Sequence, residues 1–115
     1  MKVMIKSKII EGETYRVAMT IQGMEMFEEM TGKSITSVQE NPSSFLMKDM
    51  RSLVYCALEN SKINGGEYNQ NIQTIDDLLS FDVSDMTTLF HLAMSCIKVD
   101  KASKIKPVGK QKNKV

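Results

Sequence analysis

The sequence contains one histidine, two cysteines and no long run of apolar residues. A zinc site built from histidine and cysteine needs three or four closely spaced ligands, which His91, Cys56 and Cys96 do not provide. The longest apolar run, Leu53–Leu58, is far shorter than the ~20 residues that span a bilayer. No apolar stretch follows the lysine-interrupted residues 1–8. We therefore expect no secretory signal, no membrane segment and a protein that stays in the cytoplasm.

The cysteines are too few for a domain that depends on disulfides, because secreted domains of this size usually carry more. Cys56 and Cys96 also lie within apolar helical patterns. We therefore expect two buried free thiols in a reducing compartment.

Residue sets for catalysis are missing as well. The adjacent pairs Glu28-Glu29 and Asp76-Asp77 would point about 100° apart on a helix, so they do not converge as a general acid and base must. Gly65-Gly66 is not followed by the lysine and helix of a phosphate-binding loop. His91 lies on the side of its helix away from the apolar stripe, which indicates a surface histidine. The sequence therefore predicts no enzyme, no cofactor and no metal site.

The composition is that of one globular domain: 115 residues, 42% hydrophobic and 25% charged. The net charge of +1 conceals an uneven distribution. From Lys98 onward seven lysines face one aspartate, a net charge of +6, which leaves −5 for residues 1–97. We expect a folded domain over 1–98 and a basic, disordered tail over 99–115. Such a tail can be solvated, contact nucleic acid or begin an extension.

The apolar pattern predicts an N-terminal β-hairpin followed by helices. Alternation over residues 2–10 and 14–19 indicates two strands, and Glu11-Gly12 supplies the tight turn. A lone hairpin is marginal in water, so it must pack on helices. Apolar residues at helical spacing place these helices at 21–31, 45–61, 74–81 and 84–98, with a connector at 33–42 and a polar loop at 60–73. The predicted class is α+β, mainly α: a β-hairpin packed on a small bundle of about four helices.

Particular residues set the predicted helix ends. Thr20 and Gly32 suit the N-cap and C-cap of the first helix, and Ser43 or Ser44 suits the N-cap of the second. Gly23 weakens the first helix by ~1 kcal/mol relative to alanine, so we expect a close packing contact there. Thr74 followed by Asp77 matches a capping box. The inward stripe of the second helix is predicted to contain Leu46, Met50, Leu53, Val54, Ala57 and Leu58.

Methionine is abundant, with ten residues in the chain. Its flexible thioether fills irregular cores and also suits surfaces that adapt to partner helices. Both uses are consistent with the sequence. The two longest apolar helices are apolar over more than one face, and such a helix is either central in a bundle or meets a partner. The residues predicted to bind a partner are Met26, Met30, Met47, Leu92 and Cys96.

Two segments resemble the tail assembly chaperones of long-tailed bacteriophages. The first is Glu13–Thr20, and the second is Met26–Ile35, which reads Met-Phe-Glu-Glu-Met-Thr-Gly-Lys-Ser-Ile. In that family a β-hairpin leads into a short helix that ends in a similar Glu-Glu-x-x-Gly signature. Met50–Leu58 is similar to the family's central helix, and Thr74–Leu79 is similar to a following Thr-x-x-Asp/Glu-x-x-Leu step. The resemblance covers residues 13–97 in element order.

The resemblance implies a function in the cytoplasm of an infected bacterial host. Such proteins hold the long, aggregation-prone tape measure protein in solution until the tail tube polymerises around it. Many self-associate, so a homo-oligomer is implied. Many are also made in a longer, frameshifted form whose extension recruits the tail tube protein, and here it would begin near Lys98. The family contributes no catalytic residues. Gly23 and the 60–73 loop depart from its usual pattern.

A small nucleic-acid-binding regulator is the alternative function. The lysines from Lys98 onward could neutralise phosphates. The tail has no arginine and no aromatic residue to stack on bases, however, so selective binding of nucleic acid is unsupported.

Overall fold

The computed structural model describes residues 3–65 and 69–97. Within these ranges the chain forms a two-stranded antiparallel sheet followed by helices, so the predicted α+β, mainly α class is confirmed. None of the described helices combines the length and the apolar character that a membrane crossing requires. The elements in chain order are β1 (Ile5–Ile10), β2 (Glu13–Ala18), α1 (Ile21–Thr31), α2 (Ile35–Glu40), a 3₁₀ turn (Pro42–Ser44), α3 (Met47–Gly65), a 3₁₀ helix (Ile75–Leu78) and α4 (Val83–Ser95).

The hairpin turn needs positive backbone φ at both of its central residues. Glu11 has φ 51° and Gly12 has φ 81°, as in the two-residue turn that matches strand twist. The register places Lys6 opposite Val17. From there the Lys6 ammonium donates hydrogen bonds to the Ser95 carbonyl and hydroxyl oxygens at 3.4 and 2.9 Å. This cation lies at the C-terminus of α4, where the helix dipole favours positive charge.

Helix α3 is the centre of the domain. It packs against β2, α1 and α4. Its consecutive core residues Leu53 and Val54, and then Cys56 to Leu58, are all fully buried. The inward stripe predicted for this helix is therefore confirmed except at Leu46, which is 50% exposed and precedes the helix.

Gly23 lies where α1 contacts Asn60 of α3. A Cβ atom there would lie 2.8 Å from Met19 Sδ and 2.9 Å from Asn60 Oδ1, so the predicted close packing is confirmed. Asn60 is fully buried, and its Oδ1 accepts hydrogen bonds from Thr20 N at 2.7 Å and Thr20 Oγ1 at 3.0 Å. Thr20 is the N-cap residue of α1, as predicted, but its hydroxyl forms a hydrogen bond with Asn60 on α3 and makes no capping hydrogen bond to α1.

Replacing Gly23 with alanine should reduce the free energy of unfolding by about 1 kcal/mol. Overpacking of this kind costs about 1–3 kcal/mol, and the higher helix propensity of alanine offsets about 1 kcal/mol of it. Met19 can move its sulfur, but Asn60 is held by Thr20. Urea denaturation measures the difference. The exposed Glu25→Ala variant on the same helix is the control and should stay within about 0.5 kcal/mol of the native protein. A stabilised Gly23→Ala protein would contradict this packing.

A second buried asparagine attaches the chain after α3 to the hairpin. Asn69 has φ 67° and is 2% exposed. Its Oδ1 accepts a hydrogen bond from Arg16 N, and its Nδ2 donates to Arg16 O, both at 2.8 Å. Nδ2 also donates to Leu58 O at 3.1 Å. The side chain therefore pairs with the outer edge of β2 as a neighbouring strand would.

The start of α3 differs from the predicted start. Ser43 and Ser44 belong to a 3₁₀ turn, and the helix begins at Met47. The Asp49 carboxylate provides the cap by accepting a hydrogen bond from Leu46 N at 2.9 Å, and it also forms an ion pair with Lys33 at 2.5 Å. The helix also continues to Gly65, into the segment predicted as a loop.

The last two helical segments follow the predicted order. The 74–81 helix is a shorter 3₁₀ helix over Ile75–Leu78. In the predicted capping box the Asp77 carboxylate accepts hydrogen bonds from Thr74 N at 2.9 Å and Gln73 N at 2.7 Å. These bonds hold the pKa of Asp77 below its usual value. Helix α4 ends at Ser95. The predicted basic tail at 99–115 lies outside the described residues.

Candidate functional site

An apolar groove lies between the start of α3 and the segment that joins the 3₁₀ helix to α4. Its volume is about 400 Å³. The groove exists because Leu78 and Met86 are buried, whereas their neighbours remain at the surface. The apolar side chains that line it are Met47, Leu78, Leu79, Phe81, Val83 and Met86.

The walls of this groove expose large apolar side chains to water. Met47 is 55% exposed, Leu79 is 62% exposed and Val83 is 64% exposed. Single exposed apolar residues are ordinary on a protein surface, but several around one groove are typical of a binding site. Lys48 and Arg51 on α3 complete the lining, so the only charges in it are positive.

An acidic pocket adjoins the apolar groove. Its volume is about 320 Å³, and Phe81 lines both cavities. Tyr15 from β2 forms part of the pocket wall and contacts Phe81 edge-to-face, with ring centroids 5.6 Å apart. Carboxylates dominate the charge of this pocket, from the hairpin turn, the 3₁₀ helix and the start of α4: Glu11, Glu13, Asp77, Asp82 and Asp85.

Three of these carboxylates could act as ligands of a hard cation. Glu11, Asp82 and Asp85 each present an oxygen within 4.8 Å of the others. Calcium takes six to eight oxygen ligands, and this open, partly exposed cluster brings together one oxygen from each of three carboxylates. The geometry fits a surface that attracts positive charge better than a complete metal site.

The residues predicted to bind a partner do not lie in one surface. Met47 lines the apolar groove. Met30 on α1 is 43% exposed, and its sulfur lies 3.5 Å from Cys56 Sγ. Cys56 follows Met47 by nine residues, which is about 180° around α3. Met30 therefore lies on the opposite side of that helix from the groove.

The other three predicted residues lie closer to the core. Met26 and Leu92 are partly buried and pack against the core. Leu92 follows Val83 by nine residues, so it lies about 180° around α4 from the groove wall. Cys96 is 2% exposed, and its thiol contacts the Val17 carbonyl oxygen at 3.7 Å. Its inclusion among surface-binding residues was wrong, because this side chain belongs to the core.

Both thiols should be unreactive in the native protein. Burial, together with the nearby Glu59 carboxylate, raises the pKa of Cys56 to about 12, and burial also raises the pKa of Cys96. Because the thiolate is the reactive form, Ellman's reagent at pH 8 should modify native protein more than about 100-fold slower than protein in 6 M guanidinium. Rapid modification of one native thiol would contradict this burial.

Sequence reasoning missed most of the groove. It placed Leu78, Leu79 and Phe81 within the helix predicted at 74–81 and assigned none of them to a binding surface, yet Leu79 is exposed. The sequence does contain a signal here, because adjacent leucines point about 100° apart, and a short turn that packs on one side buries only one of them. No signal in the sequence indicated that Leu79 would lie beside Met47, which is 32 positions earlier in the chain.

No protein-family model matches the chain, and neither a curated protein nor a solved structure matches it. The cavities and surface charges of the described residues are therefore the structural basis for a binding role. His91 is exposed, as predicted. The lysines of the nucleic-acid alternative begin at Lys98 and lie outside the described residues.

Proposed function

We propose that this chain is a tail assembly chaperone that binds the tape measure protein of a long-tailed phage and keeps it soluble until the tail tube assembles. The observation that carries the binding role is the apolar groove with Met47, Leu79 and Val83 exposed around it. The proposal that the partner is the tape measure protein comes from the resemblance of residues 13–97 to that family.

The groove has the character of a site for an amphipathic helix. Such sites accept apolar side chains that recur about every turn on one face of the partner helix. Met47 and Met86 contribute flexible, polarizable side chains, which adapt to partners of different shape. A chaperone of a long helical protein needs this adaptability because it meets many different segments of the same chain.

The fold supports the same proposal. The family resemblance implies a hairpin, a short helix ending at glycine, a central helix, a Thr-x-x-Asp step and a final helix. The chain contains β1 and β2, α1 ending before Gly32, α3, the capped 3₁₀ helix and α4 in that order. The proposal includes self-association and a role for an extended form in recruiting the tail tube protein, both of which follow from the resemblance alone.

A glutamate at position 47 should release the partner. In Met47→Glu a charge replaces an apolar wall of the groove, and burying it against a partner is unfavourable. We expect the amount of tape measure protein kept in the soluble fraction on co-expression to fall about tenfold, the change that 1.4 kcal/mol produces. Val83→Glu should act similarly, and circular dichroism should show that both variants remain folded.

Two further variants locate the surface. Ile21→Glu replaces an apolar residue of α1 that is as exposed as those of the groove, so it is the matched control and should retain the partner. Met30→Glu tests the opposite side of α3. If Met30→Glu releases the partner and Met47→Glu does not, the groove is not the site. If the native chain never retains a tape-measure-type protein, the chaperone proposal is wrong.

A further inference from the structure

The apolar groove and the acidic pocket adjoin one another at Phe81, whose ring lines both. A partner helix in the groove would therefore extend across this ring toward the carboxylates. Lys48 and Arg51 also line the groove, on the wall that α3 provides. The two cavities together therefore present positive, apolar and negative groups.

Three carboxylates of the acidic pocket have no ion-pair partner among the described residues. The ion pairs Lys33–Asp49 and Lys62–Glu59 involve none of Glu11, Asp82 and Asp85, and the charge of Lys62 acts on Asp77 elsewhere in the pocket. Glu11, Asp82 and Asp85 lie within 4.8 Å of one another. Like charges at this separation repel, so a cation supplied by a bound partner would be stabilised by several carboxylates together.

The apolar groove distinguishes between a metal ion and a polypeptide as the ligand of this surface. A free metal ion would use the carboxylates and leave Leu79 and Val83 in water. A polypeptide can occupy both cavities, because a lysine side chain lays its apolar stem along an apolar surface while its ammonium stays near water or carboxylates. The Phe81 ring between the cavities provides that apolar path.

We propose that the groove and the acidic pocket form one composite surface for an amphipathic helix of another protein that carries a lysine or arginine about one turn beyond its apolar stripe. This inference rests on the proposed function and specifies the chemistry of the bound segment. The charges place the basic side chain of the bound helix at Asp82 and Asp85.

Two synthetic peptides test this inference. Both are fluorescein-labelled helices with leucines on one face. One carries two lysines a turn beyond the last leucine, and the other carries two glutamates there. Fluorescence anisotropy with the full chain at low salt should show about tenfold tighter binding of the lysine peptide. The difference should shrink at 0.5 M salt because screening weakens exposed charge pairs.

A double variant shows whether the pocket causes the preference. Asp82→Asn with Asp85→Asn removes two charges but keeps a good N-cap residue before α4. The preference for lysine should fall to about twofold, whereas Met47→Glu should weaken both peptides about tenfold. The matched control, Glu25→Gln with Glu28→Gln on α1, removes two exposed charges elsewhere and should leave the preference unchanged.

The possible outcomes separate the two proposals. Equal binding of the peptides, lost in Met47→Glu, would disprove the charge inference and leave the helix-binding role standing. Binding of neither peptide would contradict the helix-binding role itself. The chain's own lysines are another candidate occupant of the pocket. If Lys104→Gln with Lys106→Gln in the full chain strengthens binding of the lysine peptide about tenfold, those residues hold the pocket and the inference is wrong.

Discussion

Replacing Asn69 with alanine should reduce the free energy of unfolding by about 4 kcal/mol, the largest effect that we expect from a single substitution. The side chain hydrogen bonds to Arg16 N, Arg16 O and Leu58 O, and an unsatisfied buried polar group costs about 1–3 kcal/mol. Alanine also tolerates the positive φ of 67° less well than asparagine. Guanidinium denaturation monitored by circular dichroism measures the loss.

Two variants separate the causes of this loss. Asn69→Gly removes the hydrogen bonds and accepts the positive φ, so we expect about 3 kcal/mol. Asn71→Ala is the matched control, because Asn71 is exposed and makes one hydrogen bond, to Tyr15 Oη at 2.7 Å. It should cost no more than about 1 kcal/mol. Equal effects of Asn69→Ala and Asn71→Ala would show that the Asn69 side chain does not hold β2.

Removing the Asp49 carboxylate should have the second largest effect. Asp49 is 3% exposed, pairs with Lys33 at 2.5 Å and accepts a hydrogen bond from Leu46 N. Breaking a buried pair costs about 3–5 kcal/mol, but the Lys33 side chain is 28% exposed and can turn to water. We therefore expect about 3 kcal/mol for Asp49→Ala and about 2 kcal/mol for Asp49→Asn, which keeps an acceptor for Leu46. The exposed Asp76→Asn is the control.

The pH dependence of this pair has a defined sign. Burial raises the pKa of Asp49, but the hydrogen bonds from Lys33 and Leu46 and the charges of Lys33 and Lys48 outweigh it, so the pKa lies below 3.8. The carboxylate therefore stabilises the fold fully above that value and loses its contribution as the pH falls through the lower, folded pKa. The difference in unfolding free energy between native protein and Asp49→Asn should shrink in that range. A difference that persists undiminished at pH 2 would contradict the assigned charge.

Local patterns were sufficient to predict most of the fold. The Glu11-Gly12 turn, the Gly32 C-cap with φ 74° and the Thr74–Asp77 capping box are each set by residues a few positions apart. Apolar residues that recur at helical spacing predicted α3 and α4, because each of these helices buries a continuous stripe of side chains. The close contact at Gly23 could also be predicted, because glycine weakens a helix and its presence there indicates a position with no room for a side chain.

The errors arise where distant residues determine the local structure. Helix α3 starts after Leu46 because Phe45 packs on Phe90, with ring centroids 5.1 Å apart, and because Lys33, 16 positions earlier, holds the Asp49 carboxylate that caps the helix. The loop after α3 is anchored by Asn69 to Arg16, 53 positions away, and the polar sequence of that loop gives no sign of it. Contacts between residues so far apart in the sequence depend on tertiary packing, which neither helix propensity nor hydrophobic periodicity encodes.

The candidate site was predicted only in part. The abundance of methionine indicated an adaptable surface, and Met47 lies in the groove. Leu79 and Phe81, which line the same groove, come from the segment before α4, and Val83 is the first residue of α4. The sequence could not place these residues beside α3. Cys96 was assigned to a surface because α4 is apolar on two sides, but Val17 and the hairpin cover that second side.

Methyl NMR of the full chain with ¹³C-labelled methionine tests the groove most directly. A helical segment of a tape-measure-type protein is titrated into the chain. Met47 and Met86 line the groove, so their methyl resonances should shift progressively, whereas Met19 and Met24, away from it, should shift little. Shifts confined to Met19, Met24 and Met30, with Met47 and Met86 unchanged at saturation, would contradict a partner-binding role for this groove.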